Sequence, residues 1–258
     1  MQGGYSPIIS AGGDGSINEV INGIMQAQGQ NGLDNQHIPV GILPLGSVND
    51  LVNNLGLPKD LPGAAQVIAA GNTRPMDLCQ IIFGDQHQHC YFGNNSAVGL
   101  EPTITLIQEE IGYLSGALRY LVAALRGIWR NPQWTMQLEW EVGKYDGPVT
   151  LVTVGNGPVT GGLFYMAPHA DPFDGLLTFV YGFMPTRLKI YRLLPRTLKS
   201  GKGSYVEHPS IHEIHSSWLR LHFEQPTPLH ADGEIQSKAV FDVEYRIIPA
   251  RLPILINM

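Results

Sequence analysis

Cysteine is scarce in this chain, which has only Cys79 and Cys90 among its 258 residues. Two cysteines form neither a disulfide framework nor a metal cluster, so buried free thiols in a reducing compartment are expected. Without such cross-links the fold must depend on a hydrophobic core. A chain of this length has core enough for one large domain or two smaller ones.

Positive charge is also scarce. The net charge is −6, so the surface as a whole does not attract polyanions and nucleic acid is not an expected partner. Residues 1–73 contain a single basic residue, Lys59. A phosphate site in this region must therefore use backbone N–H groups and a metal, or take its cations from elsewhere in the chain.

Long apolar runs are missing as well. No stretch reaches the ~18 apolar residues that span a bilayer. Residues 1–10 lack the charged start and apolar run of a signal peptide. These absences predict a cytoplasmic protein whose membrane contact is peripheral, at the inner face of the membrane.

The chain divides into two regions with different periodicity. The first has strand patterns at 7–10 and 38–46 and helical patterns at 17–27, 47–56 and 61–71. Strand–helix alternation predicts parallel pairing in a doubly wound α/β sheet. After residue 74, strand-like runs separated by turn residues, among them 89–99, 238–249 and 251–257, predict an antiparallel β domain. The predicted domains are therefore 1–73 and 74–258.

Two helical stretches interrupt the predicted β domain. The first has an apolar stripe that predicts one helix packed on the core, formed by Ile107, Ile111, Leu114, Leu118, Leu121, Leu125 and Ile128. The second, at 185–203, has six basic residues and no acid: Arg187, Lys189, Arg192, Arg196, Lys199 and Lys202. Such a stretch can lie on an anionic bilayer, gaining roughly 1 kcal/mol per basic residue. A solvated basic face beside an acidic neighbour is an equal alternative.

The segment Gly12-Gly13-Asp14-Gly15-Ser16 follows the first predicted strand. Glycines let a pyrophosphate approach the backbone, and the N–H groups and dipole of the next helix favour the anion. Ser16 with Glu19 matches a capping box, so a plain strand-to-helix turn would explain those two residues. It would not explain an acid among three glycines. An acid beside a phosphate needs a cation between them, so Asp14 indicates a Mg²⁺-nucleotide.

A second turn of this kind, PLGSVND at 44–50, ends the next strand. Its small and polar residues include Gly46, Ser47, Asn49 and Asp50. Open α/β sheets bind ligands at the carboxyl ends of their strands, so the two turns predict one shared site. Helix capping alone is the alternative for the second turn. No Walker-type lysine follows either turn, which argues against a P-loop.

The segments GGDGS and PLGSVND resemble the diacylglycerol kinase catalytic-domain family, the lipid kinases that include sphingosine kinases and bacterial diacylglycerol kinases. The resemblance continues in order through RPMDLCQI, YFGNNSAVGLEP, APHADPFDGLL and LHADGEI, so it covers nearly the whole chain. NAD kinases and phosphofructokinases share a GGDG-type turn. PLGSVND and ADGE match the lipid kinases better.

This resemblance implies an α/β nucleotide-binding domain and an antiparallel β-sandwich-like domain with the active site between them. The implied ATP-binding residues are Gly12, Gly13, Asp14, Gly15, Ser16, Ile17, Asn18, Gly46, Ser47, Asn49 and Asp50. The acids implied around the catalytic Mg²⁺ are Asp14, Asp50 and Asp77. The implied structural Mg²⁺ site comprises Asp174 with backbone carbonyls near Asp171 and Leu176.

On the opposite side of the cleft, the resemblance implies Asp232 and Glu234, with Glu234 as the general base for a lipid hydroxyl. The chemistry agrees, because phosphoryl transfer depends on positioning and charge neutralisation, and an alcohol attacks poorly until a base takes its proton. Without the resemblance, ADGE would be an ordinary hairpin turn, since Asp-Gly is a strong turn signal. The same holds for DPFDG.

The sequence departs from the family pattern at its beginning. Family members have a further strand–helix–strand portion there, whereas only ten residues precede Ala11. Either a part is missing from this sequence or the nucleotide site is naturally incomplete, with an exposed sheet edge in both cases. Smaller departures are Ser16 and Ser47, where threonine is usual, and Glu101, where aspartate is frequent.

The leading hypothesis is an ATP- and Mg²⁺-dependent lipid kinase that converts diacylglycerol to phosphatidic acid at an anionic membrane surface. A homodimer is compatible with it. The same enzyme acting on another lipid alcohol, such as a sphingoid base, stays open. The alternatives are a catalytically silent nucleotide- or lipid-binding relative and a kinase for a soluble substrate such as NAD. The predicted membrane-contacting residues are Arg187, Lys189, Arg192, Arg196 and Lys199.

Overall fold

The computed structural model describes residues 6–31, 38–84, 86–112, 114, 116–130 and 133–257. Residues 1–5, half of the segment searched for a signal peptide, lie outside this range. No helix in the described ranges is both long enough and apolar enough to cross a bilayer.

The described elements comprise fourteen strands and six α-helices. The strands are β1 (Ile8–Gly12), β2 (Val40–Pro44), β3 (Thr73–Phe83), β4 (Gln88–Phe92), β5 (Asn95–Gly99), β6 (Trp134–Trp140), β7 (Gly143–Val149), β8 (Leu151–Gly155), β9 (Val159–Thr160), β10 (Phe164–Tyr165), β11 (Leu177–Gly182), β12 (Ile211–Ser216), β13 (Trp218–Ala231) and β14 (Glu234–Leu255). The helices are α1 (Asp14–Asn31), α2 (Asp50–Asn54), α3 (Leu61–Ala70), α4 (Leu100–Glu110), α5 (Gly116–Arg130) and α6 (Arg187–Leu193).

Twelve of these strands form one mixed sheet, with the path β1-β2-β14-β13-β5-β8-β11-β12. The predicted parallel pairing is confirmed, because β1 pairs with β2 in parallel from Ile8↔Val40 to Gly12↔Pro44. β14 joins the two regions: its end is parallel to β2 at Ile254↔Val40, while most of it is antiparallel to β13 and β3. The rest of the sheet is antiparallel, as predicted.

Apolar residues at helical and strand spacing build the core of the first region. Ile17, Ile21 and Ile24 of α1 pack with Val40 and Ile42 of β2. These contacts hold α1 against the sheet. The carboxyl ends of β1 and β2, where the two glycine turns begin, therefore lie side by side.

Two of the predicted strands, at 238–249 and 251–257, are one strand, β14. An irregularity between Ile248 and Leu252 lets the strand continue past the proline, and Ala250 there has a left-handed φ of 53°. The run from 89 to 99 is instead divided between β4 and β5. Gly93 and Asn94 separate these strands, because their N–H groups bond to Asp232 instead of to a neighbouring strand.

The prediction that the apolar stripe forms a single helix packed on the core is wrong. The chain forms two helices, α4 and α5, and Leu118, Leu121 and Leu125 of α5 are exposed. α5 packs on the core through a different face, which includes Gly127 against Ile104. The seven residues therefore do not share one face, although Ile107, Ile111 and Ile128 are buried.

The second helical stretch is shorter than predicted. α6 covers Arg187–Leu193, with Thr186 accepting a cap bond from the Lys189 N–H, and a 3₁₀ helix continues to Leu198. Pro195 prevents a regular α-helix from continuing, because it lacks an N–H donor. Ile190 and Leu193 fix α6 to the core, and its basic side chains project outwards.

Candidate active site

The two glycine turns are in contact. A Cβ atom placed on Gly46 would lie only 2.4 Å from the Cα of Gly13, and one on Gly13 would lie 3.0 Å from the Cα of Gly46. Leu45 also donates its N–H to the carbonyl of Gly12, at 2.9 Å. The bare backbone is therefore required for the turns to touch, and the predicted shared location at the ends of β1 and β2 is observed.

A cavity of about 210 Å³ opens beside these turns. It is lined by four of the predicted site residues, Asp14, Ser47, Asp50 and Asp232. Asp14 lies in the first turn of α1, whose N-terminus favours anions. The nucleotide side of the predicted site thus lies at a helix N-terminus with an acid in it.

Asp50 is almost fully buried at the start of α2. Its two carboxylate oxygens accept the N–H groups of Gly161 and Gly162, at 2.6 and 2.7 Å. These glycines have left-handed φ values of 63° and 77° and form the turn between β9 and β10. Burial, and then the charge of Asp14, raise the pKa of Asp50 to about 7.

A buried carboxylate whose ionisation is opposed by a neighbouring carboxylate suits a divalent cation, which would neutralise the charge of the pair. Asp14 and Asp50 therefore fit the predicted catalytic Mg²⁺. The raised pKa of Asp50 also means that the folded chain binds this proton more tightly than the unfolded chain. Without metal, this group lowers the free energy of unfolding as pH rises from about 3.8 to about 7, and has no further effect above 7.

Mg²⁺ binding is accordingly expected to depend on pH. Because the metal displaces a proton from Asp50, its affinity should increase up to about tenfold per pH unit below the Asp50 pKa of about 7 and level off above it. Calorimetric Mg²⁺ titrations at pH values on both sides of 7 would measure the affinity and the protons released. The variant D50N should lose this slope, whereas E19Q, on the exposed side of α1, should keep it. An affinity that stays constant below pH 7 would contradict Asp50 as a ligand.

Glu234 lies against the first glycine turn, outside the residues that line the cavity. Its Oε1 lies 3.2 Å from where a Cβ atom on Gly15 would stand, so the missing side chain leaves room for the carboxylate. Glu234 is exposed at the start of β14. It follows a tight turn in which Asp232 and Gly233 both have left-handed φ values, 46° and 83°. ADGE is therefore a hairpin turn, and that turn also presents Glu234 to the site.

Asp232 connects the two regions of the chain. Its carboxylate accepts hydrogen bonds from Asn18 Nδ2 (2.9 Å) and from the backbone N–H groups of Gly93, Asn94 and Asn95 (2.9–3.0 Å). Burial raises its pKa, and these four bonds act in the opposite direction. These four bonds fix the start of the hairpin that carries Glu234, so Asp232 acts as a positioning residue for it.

Several residues of the predicted nucleotide site make contacts within the protein, and their binding of nucleotide stays a prediction. The predicted cap at Ser16 is wrong, because α1 begins two residues earlier, at Asp14. Ile17 is buried in the core. Asn18 donates to Asp232 and to the carbonyl of Tyr91. Asn49 closes the second glycine turn on itself, bonding both the N–H and the carbonyl of Gly46.

The structure does not bring Asp77 to Asp14 and Asp50. The Asp77 side chain leaves β3 towards the opposite loops, where it accepts the N–H groups of Gly175 (2.7 Å) and Ala250 (2.6 Å). It is not among the residues that line the cavity. The predicted placement of Asp77 in the catalytic cluster is therefore corrected: in the described contacts it fastens the loop that carries the predicted structural metal.

In that loop, Asp171 accepts the Phe173 N–H and Asp174 accepts the Leu176 N–H. Burial raises the pKa of Asp174, as does the nearby charge of Asp171. Within the described residues, no three His, Cys, Asp or Glu side chains converge in a metal-ligating cluster. A structural Mg²⁺ at this loop stays a prediction.

Four more residues line the cavity, and the sequence had given none of them a role in the site. Arg119 of α5 places a cation in the cavity wall, and its Nε donates to the carbonyl of Gln108 at 2.8 Å. Glu101 and His230 are both almost fully buried, and His230 Nε2 lies 3.4 Å from Glu101 Oε1. Asn95 donates to the same Glu101 oxygen at 2.9 Å. Only the family segments YFGNNSAVGLEP and LHADGEI pointed to their neighbourhood. Nothing in the local pattern distinguished Arg119 from other helix-surface arginines.

The predicted membrane-contacting residues lie in different environments. Arg187, Lys189, Arg192 and Lys199 are exposed. Arg196 is not available to a membrane, because it donates to the carbonyls of Gly203 and Ser204 and lies 3.7 Å from Glu207. It holds the following loop in place, so its assignment is corrected.

Comparisons with known proteins identify the family of the chain. Residues 1–81 match the model for the diacylglycerol kinase catalytic domain, and residues 95–256 match the YegS C-terminal NAD kinase beta sandwich-like domain. The chain is 31% identical to "Probable lipid kinase YegS" of Escherichia coli O1:K1 over 254 residues, which is 96% of this chain and 77% of that one. The protein of the same name from Shigella flexneri is 31% identical over 251 residues, with the same coverage.

Two solved structures show the same fold. A diacylglycerol kinase from Bacillus anthracis str. Sterne superposes with a TM-score of 0.68 at 20% identity, covering 99% of this chain and 78% of that one. Yeast NADH kinase in complex with NADH gives a TM-score of 0.51 at 12% identity, covering 97% and 60%. These likenesses support the α/β domain with a β-sandwich-like partner. The two matched segments leave the predicted boundary at 73 and 74 as a prediction.

Proposed function

Because the chain belongs to the diacylglycerol kinase catalytic-domain family and is a lipid kinase, we propose that it transfers the γ-phosphoryl group of ATP to the hydroxyl of diacylglycerol, forming phosphatidic acid and ADP. One observation carries the proposal. The contact between Gly13 and Gly46 puts the acids Asp14 and Asp50 on one side of a cavity, with Glu234 across from Gly15. In this proposal, the residues that bind nucleotide and metal lie beside the residue that acts as the base.

Each group has a role in this proposal. The turn backbones and the α1 N-terminus bind the phosphates, and Arg119 neutralises part of their charge. Asp14 and Asp50 would hold Mg²⁺, which when bound neutralises charge on the phosphates. Glu234 takes the proton of the lipid hydroxyl as its oxygen forms the new P–O bond. The bond between the γ-phosphorus and the bridging oxygen breaks, and the electron pair leaves with ADP.

The test is transfer of radiolabelled phosphate from Mg-ATP to lipid alcohols in mixed detergent micelles, beside the variant E234Q. Labelled phosphatidic acid from the intact chain, and almost none from E234Q, is the expected result. Nucleotide binding without labelling of any lipid would favour a silent relative. Labelling of NAD instead of lipid would favour the soluble-substrate alternative. A version extended upstream tests whether a preceding segment is needed.

A second acceptor class is favoured by a specific observation. Within the described residues, neither Glu101 Oε2 nor either ring nitrogen of His230 has a hydrogen-bond partner, although both residues are buried in the wall of the cavity. Buried polar atoms ordinarily have partners. An acceptor lipid with a second donor group, such as a sphingoid base or a monoacylglycerol, would satisfy Glu101.

The variant E101Q distinguishes the two acceptor classes. Its amide keeps an oxygen for Asn95 but replaces an acceptor with a donor where Glu101 Oε2 stands. For a lipid with a second donor, kcat/KM should fall by roughly 10–100-fold, whereas diacylglycerol, with one hydroxyl, should be affected much less. The KM for ATP serves as the internal control. Equal losses for all acceptors would contradict a role in recognising the head group.

The proposal places the enzyme in the cytoplasm, working at the inner face of the membrane where its substrate lies. Arg187, Lys189, Arg192 and Lys199 are positioned to contribute attraction to anionic headgroups. Contact through cations alone would be weak and sensitive to salt.

A further inference from the structure

Helix α5 turns an apolar face to solvent. Leu118, Leu121, Leu125 and Trp129 are 57%, 41%, 42% and 63% exposed. At about 100° per residue, they fall within an arc of about 80° on the helix surface. The buried Ala123 and Gly127, by contrast, lie on the side towards the core. Large apolar residues grouped on one exposed face mark an interaction surface.

Helix α6 extends this face and stiffens it. The guanidinium of Arg187 lies 4.2 Å from the ring centroid of Trp129, and the Tyr191 hydroxyl donates to the carbonyl of Leu125 at 2.8 Å. Leu188 is 56% exposed on the same short helix. We call this surface the α5–α6 face. It consists of Leu118, Leu121, Leu125, Trp129 and Leu188, with the exposed cations Arg126, Arg130, Arg187, Lys189 and Arg192.

The charge of the α5–α6 face is opposite to that of the whole chain. Neither helix contains an acid, whereas the net charge of the chain is −6. The acid described nearest to these cations is Glu110 of α4, whose carboxylate lies 3.9 Å from Arg130. Leucines and a tryptophan bordered by arginine and lysine match the interfacial region of an anionic bilayer.

The face also adjoins the active-site cavity. Arg119 and Tyr120 of α5 line that cavity, and the exposed Leu118 and Leu121 flank them in sequence. An apolar crevice of about 60 Å³ lies behind α5 and α6 and shares Glu101 and Tyr120 with the cavity. Sites that enclose a drug-sized ligand measure about 300–1,000 Å³. Neither space is large enough to enclose the chains of a lipid.

We propose that the α5–α6 face inserts into the headgroup region of an anionic bilayer, and that the acceptor lipid enters the cavity from this side with its acyl chains still in the membrane. The inference rests on the proposed function for the identity of the acceptor. It does not depend on the function for the binding itself. Insertion would put the membrane surface beside Arg119 and Tyr120.

A second copy of the chain fits the face less well. A symmetric dimer brings the same patch of both copies together, so the cations of the α5–α6 face in both copies would be gathered in one interface. Like charges brought together in an interface oppose association. An anionic bilayer instead offers phosphate groups to the exposed cations of this face. The bilayer is therefore the occupant that both the apolar and the charged residues favour.

The test is co-sedimentation of the full chain with phosphatidylcholine vesicles, with and without phosphatidylglycerol. The variant L121S/L125S should bind the anionic vesicles roughly thirtyfold more weakly, because two half-exposed leucines no longer enter the bilayer. The matched control V142S/F241S removes two exposed apolar side chains elsewhere. It should bind as the unaltered chain does. Equal binding by both double variants would overturn the proposal.

Trp129 provides an independent measurement, since it is the most exposed of the four tryptophans. Its fluorescence should shift to the blue on anionic vesicles and be quenched by brominated lipid, and W129F should lose both effects. Unchanged fluorescence at saturating lipid would also overturn the proposal. So would a concentration-dependent dimer that L121S/L125S dissociates and that binds no vesicles.

Turnover separates this inference from the proposed function. In detergent micelles containing a short-chain lipid alcohol, L121S/L125S should keep the activity of the unaltered chain, and on vesicles it should lose it along with binding. Vesicle binding without lipid phosphorylation would contradict the proposed function, while the proposed membrane-binding role of the α5–α6 face would stand. Phosphorylation in micelles without vesicle binding would support the proposed function and contradict membrane binding by the α5–α6 face.

Discussion

Replacing Glu234 with glutamine is expected to lower kcat by about 10²–10⁴-fold, the usual contribution of a general base. The amide keeps the shape of the side chain across from Gly15 but cannot take the proton of the lipid hydroxyl. Glu234 is exposed, so the free energy of unfolding should change by less than about 0.5 kcal/mol. The KM for ATP should also be preserved, because the nucleotide side of the cleft is intact.

Steady-state phosphorylation in mixed micelles, together with urea denaturation of the same preparations, measures both quantities. The control E224Q makes the same chemical change at an exposed position of β13 and should leave kcat unchanged. If E234Q retained a tenth or more of the activity, another group would have to accept the proton.

Replacing Asp232 with asparagine should instead damage the fold and the activity together. At least two of the four donors that now meet this carboxylate would face an amide N–H₂, and a buried donor without a partner costs about 1–3 kcal/mol. We expect a loss of roughly 2–5 kcal/mol in the free energy of unfolding. Activity should fall as well, because the turn that carries Glu234 would no longer be held against Asn18 and Gly93.

Urea denaturation measured at constant pH tests this prediction. D242N is the matched control, because Asp242 is exposed and its described contact is with His222 at the surface. It should change stability by less than about 1 kcal/mol. A D232N protein as stable as the unaltered chain would show that the four bonds do not hold the hairpin. The contrast with E234Q separates a positioning residue from a reacting one.

Local patterns predicted the parts of the fold that depend on neighbouring residues. The strand patterns before the two glycine turns became β1 and β2, and Gly71 caps α3 with a left-handed φ of 70°. The same patterns failed where a helix ended early or where a strand continued through an irregularity. The residues from 107 to 128 kept a helical period across two helices, because periodicity does not show where the chain turns.

The sequence by itself determined the two glycine turns, their acids and the family. A glycine-rich turn that contains an acid is a local pattern, so it can be recognised from neighbouring residues. Only the tertiary structure decided which acids share the cavity. It put Asp50 against Gly161 and Asp232 against Asn18, 111 and 214 positions away. It also sent Asp77 to a different loop, brought Arg119 to the cavity wall and left Leu121 in solvent. Each of these outcomes depends on which partner a side chain meets across the fold, and no short-range spacing contains that information.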